Sequence, residues 1–127
     1  MNYTNAREYL LKKPAAREDY PFGPEVMVAK VKGKMFATLS KDDGVANMNL
    51  KCDPQHAQEL RDLFGSVKPG YHMNKRHWNT VILDDSIPEG ELERMIDHSY
   101  GLVVKKLKKN ERQQLELSFG PDCLYRN

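Results

Sequence analysis

No stretch of this sequence is long and apolar enough to cross a membrane. Its longest apolar runs, such as Val81-Ile82-Leu83, fall far short of the roughly 20 residues that a spanning helix needs. The opening, MNYTNAREYLLKKP, lacks the apolar centre of a secretory signal and carries charge by Arg7 and Glu8. A cytoplasmic protein is the expectation. Cysteine is scarce too: Cys52 and Cys123 stand far apart with no CxxC pair, so two reduced thiols are expected rather than a disulfide. His72 and His77 are not at the i,i+4 spacing of a helical ligand pair, and the Cys52–His56 spacing is broken by a helix start at Asp53-Pro54. These spacings predict no metal site. Neither a GxGxxG nor a Walker loop occurs, and no local pattern marks either cysteine as a nucleophile. No cofactor and no enzyme activity are expected. Repeats and low-complexity tracts are absent as well.

What is present suits one globular domain. The 127 residues are 39% hydrophobic and 30% charged, with a net charge of +2, enough for one core over 1–127 with 113–127 as a loose tail. A helix is expected over 5–13, capped by Thr4 or Asn5 and stopped by Pro14. A charged connector follows, with Tyr20 and Phe22 expected to pin it to the core. Strands are expected over 26–31, 34–39 and 45–50, joined by turns at Lys32-Gly33 and Asp43-Gly44. In the third, Ala46, Met48 and Leu50 alternate with Asn47, Asn49 and Lys51, a buried face against a wet one. Asp53-Pro54 opens a helix with Ala57, Leu60, Leu63 and Phe64 inward, ended by Gly65. A short strand at 66–68 or 72–74 and another at 78–83 come next. Ser86 and Glu89 fit a capping box for a helix through Lys108, with Gly101 packed on the sheet. The order α-β-β-β-α-β-β-α predicts an α+β domain of two layers, an antiparallel sheet of about five strands packed against helices.

The chemistry concentrates in 67–83, VKPGYHMNKRHWNTVIL. His72, Asn74, Lys75, Arg76 and His77 are all able to donate to an anion. Lys75 and Arg76 suit phosphate contacts, and Lys32 and Lys34, around the Gly33 turn, form an accessory wing. Asp42 and Asp43 make the other hairpin tip one that a polyanion repels. Trp78 is expected in the core, with His77 and Asn79 as solvent-facing alternates. Lys105, Lys106, Lys108, Lys109 and Arg112 read as a solvated helix end, opposite Glu89, Glu91 and Glu93 at its start. The expected function is non-catalytic binding of DNA through its phosphate backbone, weak and non-specific. Two alternatives stand beside it: a protein-interaction or chaperone-like module using the open sheet face, and a small-anion pocket around His72, Lys75 and His77.

The block Asn74-Lys75-Arg76-His77-Trp78-Asn79-Thr80-Val81, with Leu83-Asp84 and Ser86-Ile87-Pro88, resembles the hallmark of the MmcQ/YjbR family of small bacterial proteins. Tyr20-Pro21-Phe22-Gly23, Gly33-Lys34-Met35-Phe36-Ala37, Ile96-Asp97-Ser99-Tyr100 and Val103-Val104-Leu107 are similar to its other landmarks. The resemblance covers nearly the whole chain. Asp85 departs from it, since members often carry Gly there. The resemblance implies a CyaY-like or secretion-chaperone-like fold, one antiparallel sheet with helices packed on it. It also implies a predicted DNA-binding function, built on a double-wing shape.

Overall fold

Two tight turns set up the sheet. Lys32 (φ 50°) with Gly33 (φ 78°), and Asp43 (φ 49°) with Gly44 (φ 81°), have the paired positive φ that matches the twist of flanking strands. In this computed structural model, which describes residues 1–71 and 73–126, the elements follow in chain order. They are α1 (Tyr3–Lys12), β1 (Ala16–Asp19), β2 (Met27–Val31), β3 (Lys34–Asp42), β4 (Val45–Lys51), α2 (Pro54–Leu63), β5 (Val67–Pro69), β6 (Trp78–Ile82), α3 (Glu89–Lys105), α4 (Lys109–Phe119) and α5 (Pro121–Leu124). The six strands form one sheet in the order β1-β2-β3-β4-β6-β5, every neighbouring pair antiparallel. The protein is therefore α+β, an open antiparallel sheet with helices packed on one face. Among the described residues no helix is long and apolar enough to cross a membrane.

Several elements depart from the sequence-based expectation. The sixth strand, β1, falls in the charged connector. Its partner is β2, through which it becomes the sheet's edge. Tyr20 and Phe22, expected as anchors, are exposed. The short strand is Val67–Pro69; of the alternative at 72–74, His72 lies outside the described residues. Helix α1 starts earlier, with Asn2 and Asn5 forming a reciprocal capping box. No such box forms at Ser86, because its hydroxyl is held by Asp84 at 2.6 Å and lies 2.7 Å from Ser66. Pro88 is the N-cap of α3 instead. That helix ends at Lys105, and the tail forms two further helices. Gly101 faces the last of these rather than the sheet: a Cβ built on it would lie 3.5 Å from Leu124's carbonyl oxygen.

A bulge decides how the core is packed. Ala29 pairs with Ala37 and Lys30 with Met35, so Phe36 is an extra residue in β3. Phe36 and Ala37 are both fully buried, and the rings of Phe36 and Tyr100 on α3 pack nearly perpendicular, their centroids 5.2 Å apart. Ser99 fixes the same helix to two strands: its hydroxyl donates to Phe36's carbonyl at 2.6 Å and accepts from Lys51's N–H at 2.8 Å. At the other side of α3, Asp97 accepts from Lys13 at 2.8 Å and from Tyr9's hydroxyl at 2.9 Å, tying α1 to α3. Both thiols are free; Cys52 is buried at the end of β4, and Cys123 is half-buried in α5.

Candidate binding site

The face of the sheet away from the helices is where side chains of β3, β4 and β6 meet in register. Thr38 pairs with Asn49, Ser40 with Asn47, and Asn49 with Thr80. These five polar side chains are cross-linked. Asn49's amide donates to Thr38's hydroxyl at 3.0 Å, Thr80's hydroxyl to Asn49 at 2.5 Å, and Ser40's hydroxyl to Asn47 at 3.3 Å. Two loops rise beside this floor. The β1–β2 loop brings Phe22 and Val26, and the β5–β6 loop brings Tyr71 and Met73; Val45, Ile82 and Asp42 complete a groove of about 750 Å³. The volume, the apolar walls and the few polar groups fall in the range typical of ligand pockets. Phe22 and Tyr71 stay 66% and 69% exposed on its rim.

The β5–β6 loop is held by the residues that the sequence assigns to an anion. Tyr71's N–H donates to Thr80's hydroxyl at 2.9 Å, which folds the loop over β6. Lys75's amine donates to Gly70's carbonyl at 3.1 Å, and its own carbonyl accepts from Arg61 at 3.3 Å. Asn74's side-chain oxygen accepts from Arg76's N–H at 3.0 Å, closing a turn. His77 is half-buried, and its carbonyl accepts from Cys52's N–H at 2.8 Å. Arg76 is exposed and its guanidinium makes no ion pair among the described residues. His72 lies outside the described residues, and with it part of the small-anion pocket. Lys32 donates to Gln114 at 2.8 Å, while Lys34 is exposed. The strand pairings put this hairpin and the β5–β6 loop at the same end of the sheet, on either side of β4.

The loop's tight entry explains one glycine. Gly70's N–H donates to Trp78's carbonyl at 2.9 Å, and a Cβ on Gly70 would lie 2.8 Å from Trp78 Cβ and 2.9 Å from that carbonyl oxygen. Gly70→Ala is expected to lower stability by about 1–3 kcal/mol in chemical denaturation, through overpacking. An unchanged midpoint would show that the two strands have room to part.

Strand β6 faces the opposite way from the expectation. Asn79 is buried, accepting from Arg61 at 2.8 Å and donating to Ala57's carbonyl at 3.3 Å, so it is not a solvent-facing alternate. Trp78 shares the parity of Thr80 and Ile82 and is half-buried, outside the buried core. An amide that bridges α2 to the sheet takes the inward place, and the indole is turned outward.

A second cluster escaped the sequence because its members come from different elements. Cys52, Asp53 at the start of α2 and His98 of α3 have their side-chain ligand atoms within 4.8 Å of one another. Burial pushes the Cys52 thiol up to about 12, so it is not a ready thiolate nucleophile at neutral pH. Burial, and then the neighbouring His56, lowers the pKa of His98.

Comparison with known proteins agrees with this architecture. The chain is 39% identical to "Uncharacterized protein YbdF" of Escherichia coli O157:H7, over 89% of this chain and 93% of that one. It is 30% identical to "Uncharacterized protein YjbR" of Escherichia coli K12, over 91% and 98%. Among solved structures, Deinococcus radiodurans DR2400, whose domain is described as DUF419, superposes with a TM-score of 0.83 at 37% identity, covering 90% of this chain and 87% of that one. A Pseudomonas syringae protein superposes with a TM-score of 0.71 at 29% identity, covering 80% and 98%. The family model YjbR matches residues 11–102. With that match over most of its length, the chain belongs to the YjbR family.

Proposed function

We propose that this protein is a non-catalytic binding module whose open sheet face receives an extended polypeptide segment of a partner protein. The groove carries this reading: apolar walls flank a ladder of hydroxyls and amides that crosses three strands. Asn47 and Asn49 each use only part of the amide's capacity of two donors and two acceptor sites within the floor. The remainder suits the N–H and C=O groups of a peptide backbone. Phe22, Tyr71 and Met73 are of the residue types enriched where proteins meet, and they can clasp an aromatic or branched anchor. Asp42 at the groove favours a basic residue beside that anchor. Two free thiols suit a reducing, cytoplasmic setting.

Binding of DNA through its backbone is a second proposal, favoured by the exposed Arg76 and Lys34. It is the weaker one, because Lys32 and Lys75 already have protein acceptors. A random-sequence peptide library selected on the immobilised chain tests the first reading. Enriched peptides should carry an apolar anchor next to Lys or Arg. Asn47→Arg, which places a long cation on the groove floor, should weaken them by at least about tenfold, roughly 1.4 kcal/mol, without lowering the melting temperature. Selected peptides that bind Asn47→Arg equally well would move the site elsewhere.

A further inference from the structure

We propose that Cys52, Asp53 and His98 form a binding site for a divalent transition-metal ion of the zinc class, with a further coordination position left to solvent or His56. The three donor types, thiolate, carboxylate and imidazole, are those zinc takes. Their ligand atoms lie within 4.8 Å of one another, so modest side-chain movement brings them to bonding distance from one centre. His98 Nε2 and Asp53 Oδ2 are already 3.4 Å apart, close to the separation of two ligands on a tetrahedral ion.

Two independent observations point to a ligand there. His98 Nε2 is shielded from solvent and, with Asp53 Oδ2 only as near as 3.4 Å, makes no hydrogen bond among the described residues, an unusual state for a buried polar atom. A cavity of about 10 Å³, lined by Cys52, His56 and His98 among others, opens beside it, about the space one small ion or water needs. Lys51 also lines that cavity, together with the apolar Leu50, Leu60, Val81 and Met95.

The surrounding bonds hold the donors in place. Asp53 splits its carboxylate: Oδ1 caps α2 by accepting from His56's N–H at 3.0 Å, leaving Oδ2 turned to His98. The backbone of Cys52 is fixed by its bond to His77's carbonyl. Ser99, next to His98, clamps α3 onto β3 and β4. His56 stands with its ring centroid 5.3 Å from that of His98. On binding, the Cys52 S–H proton passes to solvent and its sulfur forms the metal bond. One proton is therefore released per ion, and affinity rises with pH.

Titration with Co²⁺, a spectroscopic substitute for Zn²⁺, provides the test on the full chain. The expected result is one ion per chain, displaced by Zn²⁺, with a sulfur-to-cobalt charge-transfer band. Cys52→Ser should abolish that band. His98→Gln should weaken binding by more than about 100-fold, since even outer partners of metal ligands are worth about 10–100-fold. Cys123→Ser should leave both band and affinity unchanged. A circular-dichroism spectrum of each apo variant keeps a folding defect from being mistaken for a lost ligand. No charge-transfer band in the parent chain, or a band that survives Cys52→Ser and is lost in Cys123→Ser, would overturn the site.

Discussion

Asp97→Ala is expected to lower the free energy of unfolding by about 3–5 kcal/mol, the range for breaking a buried ion pair from one side. Lys13 and Asp97 approach to 2.8 Å with side chains only 7% and 10% exposed. Lys13's ammonium also sits 5.0 Å from the centre of the Tyr100 ring, and that residue's hydroxyl donates to Pro14's carbonyl at 2.6 Å. Removing the carboxylate leaves an ammonium in a place it cannot leave, and it also strands the hydroxyl of Tyr9. Replacing both partners, Lys13→Met with Asp97→Leu, should recover most of the loss, because neither charge then remains unpaired. Urea denaturation of the three variants reads this directly. A loss below about 1 kcal/mol for Asp97→Ala, typical of exposed pairs, would show that the pair is solvated.

Phe36→Ala should destabilise by a similar amount, about 3–5 kcal/mol, and by more than Trp78→Ala. The ordering is the informative part. By size the tryptophan would be the larger loss, but Phe36 is fully buried against Tyr100, whereas Trp78 is half-buried on the sheet face away from the helices. Thermal denaturation of the two variants side by side decides between them. A larger loss from Trp78→Ala would return the indole to the core and Asn79 to the surface.

The strands β2, β3, β4 and β6 and the helices α1, α2 and α3 were legible, because alternation, helical spacing and Asp-Pro or Gly turns state them locally. Strand β1 was not: Ala-Arg-Glu-Asp has no alternating apolar face, and its C-terminal half is held by charge, Arg7 to Glu18 at 2.8 Å and Lys30 to Asp19 at 2.6 Å. Charged edge strands of this kind guard a sheet against pairing with another chain. The Ser86 box failed for a similar reason. Ser66 and Ser86 together hold Asp84 and depress its pKa to about 2, and nothing in the local spacing announces that Ser66 comes from before β5. Asp85, where the family resemblance led to an expectation of Gly, sits at φ 67°. That is the left-handed region glycine adopts readily, so a Gly would fit the turn that Asp85 holds here.

The proposed groove was legible in half. Asn47 and Asn49 were visible as the wet face of β4, and the open sheet face was among the alternatives drawn from the sequence. Its walls were not visible, since Phe22 and Tyr71 lie in loops whose apolar residues read equally well as anchors. Conversely, Asn74 and Lys75 look like anion donors in sequence, yet in the fold each has a backbone partner that shapes the loop. Cys52, Asp53 and His98 meet only through the packing of α3 on β4.

Amide chemical-shift mapping on the ¹⁵N-labelled chain, with a library-selected peptide and then with duplex DNA at low salt, distinguishes a peptide in the groove from DNA at the strand ends. The peptide is expected to move Thr38, Ser40, Asn47, Asn49 and Thr80 together with the two flanking loops. Shifts from DNA should be weaker and confined to the ends of the strands near Lys34 and Arg76. Peptide titration that leaves the floor residues still, while DNA moves Lys34, Lys75 and Arg76 strongly, would contradict the groove as the functional surface.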